Sequence, residues 1–372
     1  MLMSVIFFDG FETVGTETGL ANEATIRARM NLRWDKTNAG VSPSTSGFYL
    51  MDSPTGSGYS WNQGKNKSTY LRKFIPSEVG KTYVIGCNVH VQDTTDSRFT
   101  IFQVMGNTTS VPSYHIKINV ENLTDIVARR GPSDTSVGSA TSVMTPGAWH
   151  HVEAKIKVAN SPNGLVEVNV NGTQVLDVSG IDTQDFYSNV IVVQFGGVHL
   201  SDTAVTDVDD DFIGLDDIYV LKTEGVGPND FLGSRAAVLS LPPNGDSTVQ
   251  WSPSTGTVHY TLVDENGADS ADYVEESTDT EVEMFDLTNL PNGGIYHAFK
   301  VEVEAIDTSA GANNMDVRID SGGTVSETNF SVTSTTDYAV FVHYEGETNP
   351  DTSTDWTETT INALLAGAQF NT

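Results

Sequence analysis

Cysteine occurs once, as Cys87 within Val84-Ile85-Gly86-Cys87-Asn88-Val89, so no intrachain disulfide forms and packing alone carries stability. That usage fits synthesis in a reducing cytoplasm. Positive charge is scarce as well, with 19 Lys+Arg against 49 Asp+Glu and a net charge of -30. Such a chain as a whole repels phosphate backbones and anionic lipid, so the expected partners exclude nucleic acid. Long apolar runs are missing. The start, Met1-Leu2-Met3-Ser4-Val5-Ile6-Phe7-Phe8-Asp9, has no basic segment, and its apolar stretch ends far short of the roughly 20 residues of a spanning helix. The expectation is an unprocessed chain with no membrane insertion. Helical patterning is thin too: only Ala21 to Trp34, with Ile26, Met30 and Trp34 four apart, is weakly helical before the C-terminus.

What is present suits short strands and turns. Hydrophobic residues make up 38% and charged ones 18%, alongside 33 Gly and 13 Pro, and 372 residues exceed one core of ordinary size. Charge divides the chain: residues 225 to 372 hold 3 Lys+Arg against 24 Asp+Glu, a net -21, which leaves -9 for residues 1 to 224. The change falls at Gly225-Val226-Gly227-Pro228, where Gly and Pro interrupt the strand pattern. The expected organisation is a β-sandwich over 1–224, a linker over 225–232 and a smaller acidic β domain over 233–372.

The clearest strand is Trp149 to Val158, in which Val152, Ala154, Ile156 and Val158 alternate with polar residues. A turn at Asn160 to Gly164 leads into Leu165 to Val170, and Asn171-Gly172 supplies a two-residue hairpin turn before Thr173 to Val178. Further strands read at Thr82 to Val91, Phe99 to Met105, His115 to Val120, Asn189 to Phe195 and Phe212 to Leu221. The acidic part adds Ala298 to Ile306, Asn314 to Ile319 and Tyr338 to Tyr344. Near the end, Asp355-Trp356-Thr357-Glu358 fits a capping box, and Ile361, Leu364, Leu365 and Ala368 follow helical spacing up to Gly367. The fold class is therefore all-β: two antiparallel β-sandwich (jelly-roll) domains with a short C-terminal helix.

The stretch from Trp149-His150-His151-Val152-Glu153 through Asn171-Gly172-Thr173-Gln174-Val175 resembles the central hairpins of concanavalin A-like (laminin-G-like) jelly rolls. Phe212-Ile213-Gly214-Leu215-Asp216-Asp217-Ile218-Tyr219-Val220 is similar to the closing strand of that fold, which implies pairing with the first strand, here Val5 to Phe11. Beyond the first domain, the order Phe8-Asp9-Gly10-Phe11, Asn229-Asp230-Phe231-Leu232-Gly233, Leu241-Pro242-Pro243-Asn244-Gly245-Asp246, Trp251-Ser252-Pro253-Ser254, His259-Tyr260-Thr261-Leu262 and Asn349-Pro350-Asp351-Thr352 resembles tailed-bacteriophage structural proteins. That resemblance implies a non-enzymatic virion protein decorating capsid or tail, made in the host cytoplasm and partnered by other virion proteins or by itself as a homo-oligomer. The alternative is a fibre domain or adhesin for a host surface glycan. A polysaccharide hydrolase or lyase ranks last.

That ranking follows from the carboxylates and histidines. Glu302 and Glu304 share one strand face but lack the Asp between them that sandwich hydrolases place there, and they read as solvent-facing alternates. Adjacent His150 and His151 point to opposite faces, and no Gly-x-Ser-x-Gly elbow or phosphate loop is present, so no catalytic residues are assigned. Asp207, Asp209 and Asp211 are the cation candidate, since alternate carboxylates offer hard oxygens to Ca²⁺; the competing reading is an acidic solvated loop, and no other cofactor is expected. Trp34, Tyr59, Trp61 and Tyr70 flank a Gly/Ser/Asn-rich stretch and are the glycan-stacking candidates, against a role as loop anchors. Arg27, Arg29, Arg33, Arg72, Lys73, Arg129 and Arg130 hold much of the first domain's positive charge and are the candidate docking face.

Overall fold

The computed structural model describes residues 5–11, 34, 36–38, 48–52, 59–64, 70–92, 98–107, 113–196, 212–224, 228–234, 236–265, 271–309, 313–333, 335 and 338–371, some of the strand residues by backbone alone. It divides into two compact units that meet in sequence at Val238 and Leu239. The first holds β1 (Val5–Asp9), β2 (Lys36–Asn38), β3 (Phe48–Asp52), β4 (Tyr59–Gly64), β5 (Tyr70–Val79), β6 (Thr82–Gln92), β7 (Arg98–Asn107) and β8 (Ser113–Glu121). It continues with β9 (Asp125–Arg130), β10 (Thr135–Ala140), β11 (Trp149–Lys157), β12 (Gly164–Val170), β13 (Thr173–Ile181), β14 (Asn189–Phe195) and β15 (Phe212–Lys222). The strands form two antiparallel sheets. One runs β13-β12-β11-β6-β15-β4-β3, with β1 also on β15, and the other runs β10-β9-β8-β7-β14-β5-β2.

Alternation explains which faces meet. On β8, Ile116, Ile118 and Val120 form the apolar buried face while Lys117 and Asn119, buried as well, lie on the opposite face, and on β11 Val152, Ala154 and Ile156 form the apolar buried set. Each such Val or Ile contributes about 1.5–3 kcal/mol by leaving water. The hairpin at Asn171-Gly172 takes left-handed φ of 52° and 76°, which these two residue types tolerate, and it fixes the register of β12 on β13. β1 does pair with β15, Phe8 opposite Tyr219. The expected helix over Ala21 to Trp34 lies, all but Trp34, outside the described residues.

Residues 230–238 belong to the first unit and pack on its first sheet. Lys155 Nζ meets Asp230 at 2.5 Å and lies over the Phe231 ring at 4.8 Å. The backbone N–H groups of Leu232 and Gly233 donate to the buried Glu153 carboxylate, at 2.6 and 3.1 Å. The Val238 N–H donates to Asp217 Oδ1 at 2.7 Å. This strap begins inside the stretch that composition marks as a linker.

The second unit holds β16 (Pro243–Val249), β17 (Ser252–Pro253), β18 (Val274–Glu275), β19 (Val282–Leu287), β20 (Phe299–Ala305), β21 (Asn313–Ser321), β22 (Thr324–Val332), β23 (Ala339–Gly346) and β24 (Leu365–Asn371). A sheet ordered β16-β19-β24-β21-β22 is accompanied by the pairs β20-β23 and β17-β18. Its core gathers Met315, Val317, Ile319, Trp356, Ile361 and Leu364. The helix α1 covers Glu358–Asn362, capped reciprocally by Thr357 and Thr360. It is shorter than the helical spacing suggests: Leu365 onward forms β24, central between β19 and β21.

Candidate functional site

The outer face of the second sheet carries a cross-strand row of polar side chains. Register places Arg72 of β5 opposite Gln194 of β14, Gln194 opposite Gln103 of β7, Gln103 opposite Lys117 of β8, and Lys117 opposite Arg129 of β9. At roughly 4.8 Å per strand the row spans about 19 Å. Arg72 Nε donates to Gln194 Oε1 at 2.6 Å, and its guanidinium stacks over the Tyr70 ring at 4.2 Å. Among the described residues no carboxylate pairs with Arg72. Lys117 Nζ lies over the Tyr114 ring at 4.8 Å. Arg129 grips Glu121 through two bonds of 2.6 and 2.8 Å; burial pushes that carboxyl up, but Arg129 and Arg98 outweigh it and hold it below its ordinary range.

Tyr114 stands on the same face, one pair along from Lys117, because an irregularity in the β7–β8 register brings it opposite Met105. Burial raises its phenol, Arg72 pulls it down and Tyr70 adds to the rise. Beside it His115 is neutral, its pKa lowered by burial. Its Nδ1 accepts from Asp185 N–H at 3.1 Å, so Nε2 carries the proton and donates to Asn189 O at 2.8 Å. His115 thus anchors the loop before β14. Two phenols, an unpaired guanidinium among these residues, an ammonium and two amides therefore share one face, able to bind a carboxylate and move a proton beside it.

A second cluster on the first sheet has triad-like connectivity but no access. Tyr219 Oη donates to Glu153 Oε1 at 2.6 Å, His151 Nε2 meets Tyr219 Oη at 3.1 Å, and His151 Nδ1 meets Asn88 Oδ1 at 2.9 Å. Asn88 Nδ2 in turn donates to Asp217 Oδ2 at 2.6 Å. Burial lowers His151 to about 4 and raises Asp217 to about 6, the latter opposed by Val238 and Asn88. The strap covers this cluster, whose ionisable members are all at most 4% exposed, and it serves as a latch.

The sequence candidates fare unevenly. Trp34 is a core residue rather than a glycan platform: it packs against Phe7, Phe11 and Phe195, and its Nε1 donates to Asp9 Oδ2 at 2.9 Å. Tyr70 stands beside Arg72 in the row, while Tyr59 and Trp61 are placed by backbone alone in β4. The proposed docking face is split by strand alternation. Arg72 and Arg129 face outward, whereas Lys73 lies over Phe7 at 4.9 Å and Arg130 pairs with Asp182 at 2.7 Å. Arg27, Arg29, Arg33 and the Ca²⁺ candidates Asp207, Asp209 and Asp211 lie outside the described residues. Among the described residues no group of three metal-ligating side chains occurs. Glu302 is paired with Lys300 at 2.6 Å.

Residues 8–197 match the family model described as polysaccharide lyase, half of the chain, and the protein belongs to that family. Among solved structures it is similar to the endo-β-1,4-glucuronan lyase of the fungus Trichoderma reesei, at 15% identity over 59% of this chain and 95% of that one, TM-score 0.42. It is also similar to the PL-14 alginate lyase of Aplysia kurodai, at 9% identity over 59% and 99%, TM-score 0.43. The comparison with curated proteins gives no match.

Family membership overturns the resemblance to phage structural proteins, and with it the non-enzymatic reading, the virion partners and the placement in a virion made in the host cytoplasm. The ranking that put a polysaccharide lyase behind decoration protein and adhesin is reversed. Two of the short motifs behind that resemblance have structural duties here: Asp9 holds Trp34 and the Phe11 N–H, and Asp230 to Gly233 form the strap. The sequence assigns no catalytic residues, and the row brings together Gln103, Tyr114, Lys117 and Gln194, none of which it singles out. Lys117, Gln103 and Gln194 each sit among apolar alternates, and Tyr114 reaches the same face only through the register irregularity, so no strand taken alone marks the row. The signal is polar residues flanked by buried ones, as in Ile116-Lys117-Ile118 and Val193-Gln194-Phe195, and it becomes a site only when the strands are registered.

Proposed function

We propose that this protein cleaves a uronate-containing polysaccharide by β-elimination on the outer face of its second sheet. The row from Arg72 to Arg129, cationic on a chain of net charge -30, carries this reading, with Tyr70 and Tyr114 on the same face. Elimination needs a sugar whose C5 proton is acidified by a neighbouring carboxylate, hence a uronate. Arg72 and the Gln103 and Gln194 amides bind that carboxylate and spread its charge as the carbanion develops. Tyr114, between Arg72 and Lys117, takes the C5 proton as phenolate; the C4–O4 bond breaks, its electrons leave on O4, the former C5–H pair closes the C4=C5 bond, and the phenol returns the proton to O4. Lys117 stabilises the phenolate through its charge at the ring.

The test is incubation with polyglucuronate and with alginate, following the ultraviolet absorbance of the conjugated double bond. Release of unsaturated oligosaccharides, abolished in Arg72→Ala, is expected. Hydrolytic reducing ends without that absorbance, or no cleavage of any uronan, would overturn the assignment.

A further inference from the structure

We propose that Asp134 is a positioning residue that acts through Lys117, an inference resting on the lyase reading of the site. Asp134 ends the turn between β9 and β10, away from the row itself. Its Oδ1 meets Lys117 Nζ at 3.3 Å and its Oδ2 meets Arg98 Nη1 at 2.7 Å. The turn is fixed: Asp134 adopts a left-handed φ of 56°, its N–H bonds the Gly131 carbonyl at 3.2 Å, and Arg129 Nη1 donates to its backbone carbonyl at 2.8 Å. Its side chain is only 9% exposed.

A lysine side chain has many rotamers and does not hold one geometry unaided. Here the ammonium is held between two rigid groups, the Asp134 carboxylate on one side and the Tyr114 ring on the other. The local charge count supports the same role. Arg98, Lys117 and Arg129 meet Glu121 and Asp134, with Arg98 Nε at 3.0 Å from Glu121, so one positive charge is left over in the cluster. Arg129 is taken up by its two-bond grip on Glu121, which leaves Lys117 as the cation of this cluster that stands against the Tyr114 ring. Its place at Tyr114 matters for the phenolate, the charged form that takes the C5 proton and that re-forms when the proton passes to O4, more than for holding the substrate.

Asp134→Asn is the suitable substitution, because Asn tolerates the left-handed backbone and keeps the shape while removing the charge. Initial rates on a soluble uronan are expected to show kcat lowered about tenfold to a hundredfold, the scale of a small misplacement at a reacting centre, with KM within about twofold. In a Lys117→Ala background the same substitution is expected to add no further loss, since the partner through which it acts is gone. Glu121→Gln, which loosens Arg98 and the row's Arg129 but does not touch Lys117, is expected to lower the thermal midpoint and to act on KM rather than selectively on kcat. An Asp134→Asn loss that persists undiminished in Lys117→Ala, or a kcat equal to wild type, overturns the positioning role. Full turnover in Lys117→Ala instead removes the site reading itself, and the inference with it.

Discussion

At the scale of single residues, Asp217 and His151 titrate in opposite senses within one buried network. Asp217 is raised to about 6 by burial, so the folded protein holds its proton more tightly than the unfolded chain, and its contribution to stability falls as pH rises from about 4 to about 6. His151 is lowered from 6.5 to about 4 by burial, so its contribution rises over nearly the same window. The two partly cancel. Asp217→Asn removes the falling part, and its urea midpoint is expected to climb more steeply with pH between about 4 and 6.5 than that of the wild type. Tyr114 gives a separate pH signature. A phenolate base raised by burial makes kcat/KM increase with pH into the alkaline range, and Tyr114→Phe is expected to lower kcat by about 10²–10⁴-fold at any pH where the wild type works. Neither residue was legible as functional in the sequence. Tyr114 stands on the working face through a register irregularity, and Asp217 owes its shift to burial, which the Val238 N–H and Asn88 only partly offset.

At the scale of elements, β24 shows what periodicity leaves open. Ile361, Leu364, Leu365 and Ala368 have helical spacing, yet only Glu358–Asn362 is helical, because the following residues gain ladder bonds on both sides from β19 and β21. Gly367 marks the reason. A Cβ there would overlap the Glu283 carbonyl, which is backbone and cannot turn away. Gly367→Ala is expected to destabilise the second unit by about 1–3 kcal/mol or more, read as a lower unfolding midpoint of its transition. The first unit was more legible: the strands read around Thr82, Trp149, Leu165, Thr173 and Asn189 are present, and Gly164–Val170 shows the signal most plainly, alternating buried with half-buried residues throughout. The working row was illegible for the same reason that the strands were clear. Alternation tells which residues share a face along a strand, and nothing in it tells which residues of five different strands stand abreast.

At the scale of the whole molecule, the net charge of -30 opposes the approach of a polyanion, while a short cationic row receives it on contact. The two forces differ in range. Long-range repulsion is felt at a Debye length of about 30 Å in 0.01 M salt and is screened at about 8 Å in 0.15 M, whereas the partly buried contacts of Arg72 and Lys117 are screened less. KM for a uronan is therefore expected to fall as salt rises between these two concentrations, and a monotonic rise would show that the row is exposed like an ordinary surface patch. The strap has a consequence for how this architecture can be recombined. A fragment of residues 1–238 is expected to unfold cooperatively, while residues 1–224 lose the donors to Glu153 and Asp217 and melt at lower temperature. On that expectation the seam between modules lies after Val238, where the two compact units meet in sequence, and not at the composition shift near Gly225. A graft or gene fusion that swaps the acidic partner for another must splice after Val238, since one made at the glycines strands buried carboxylates in the domain that it keeps.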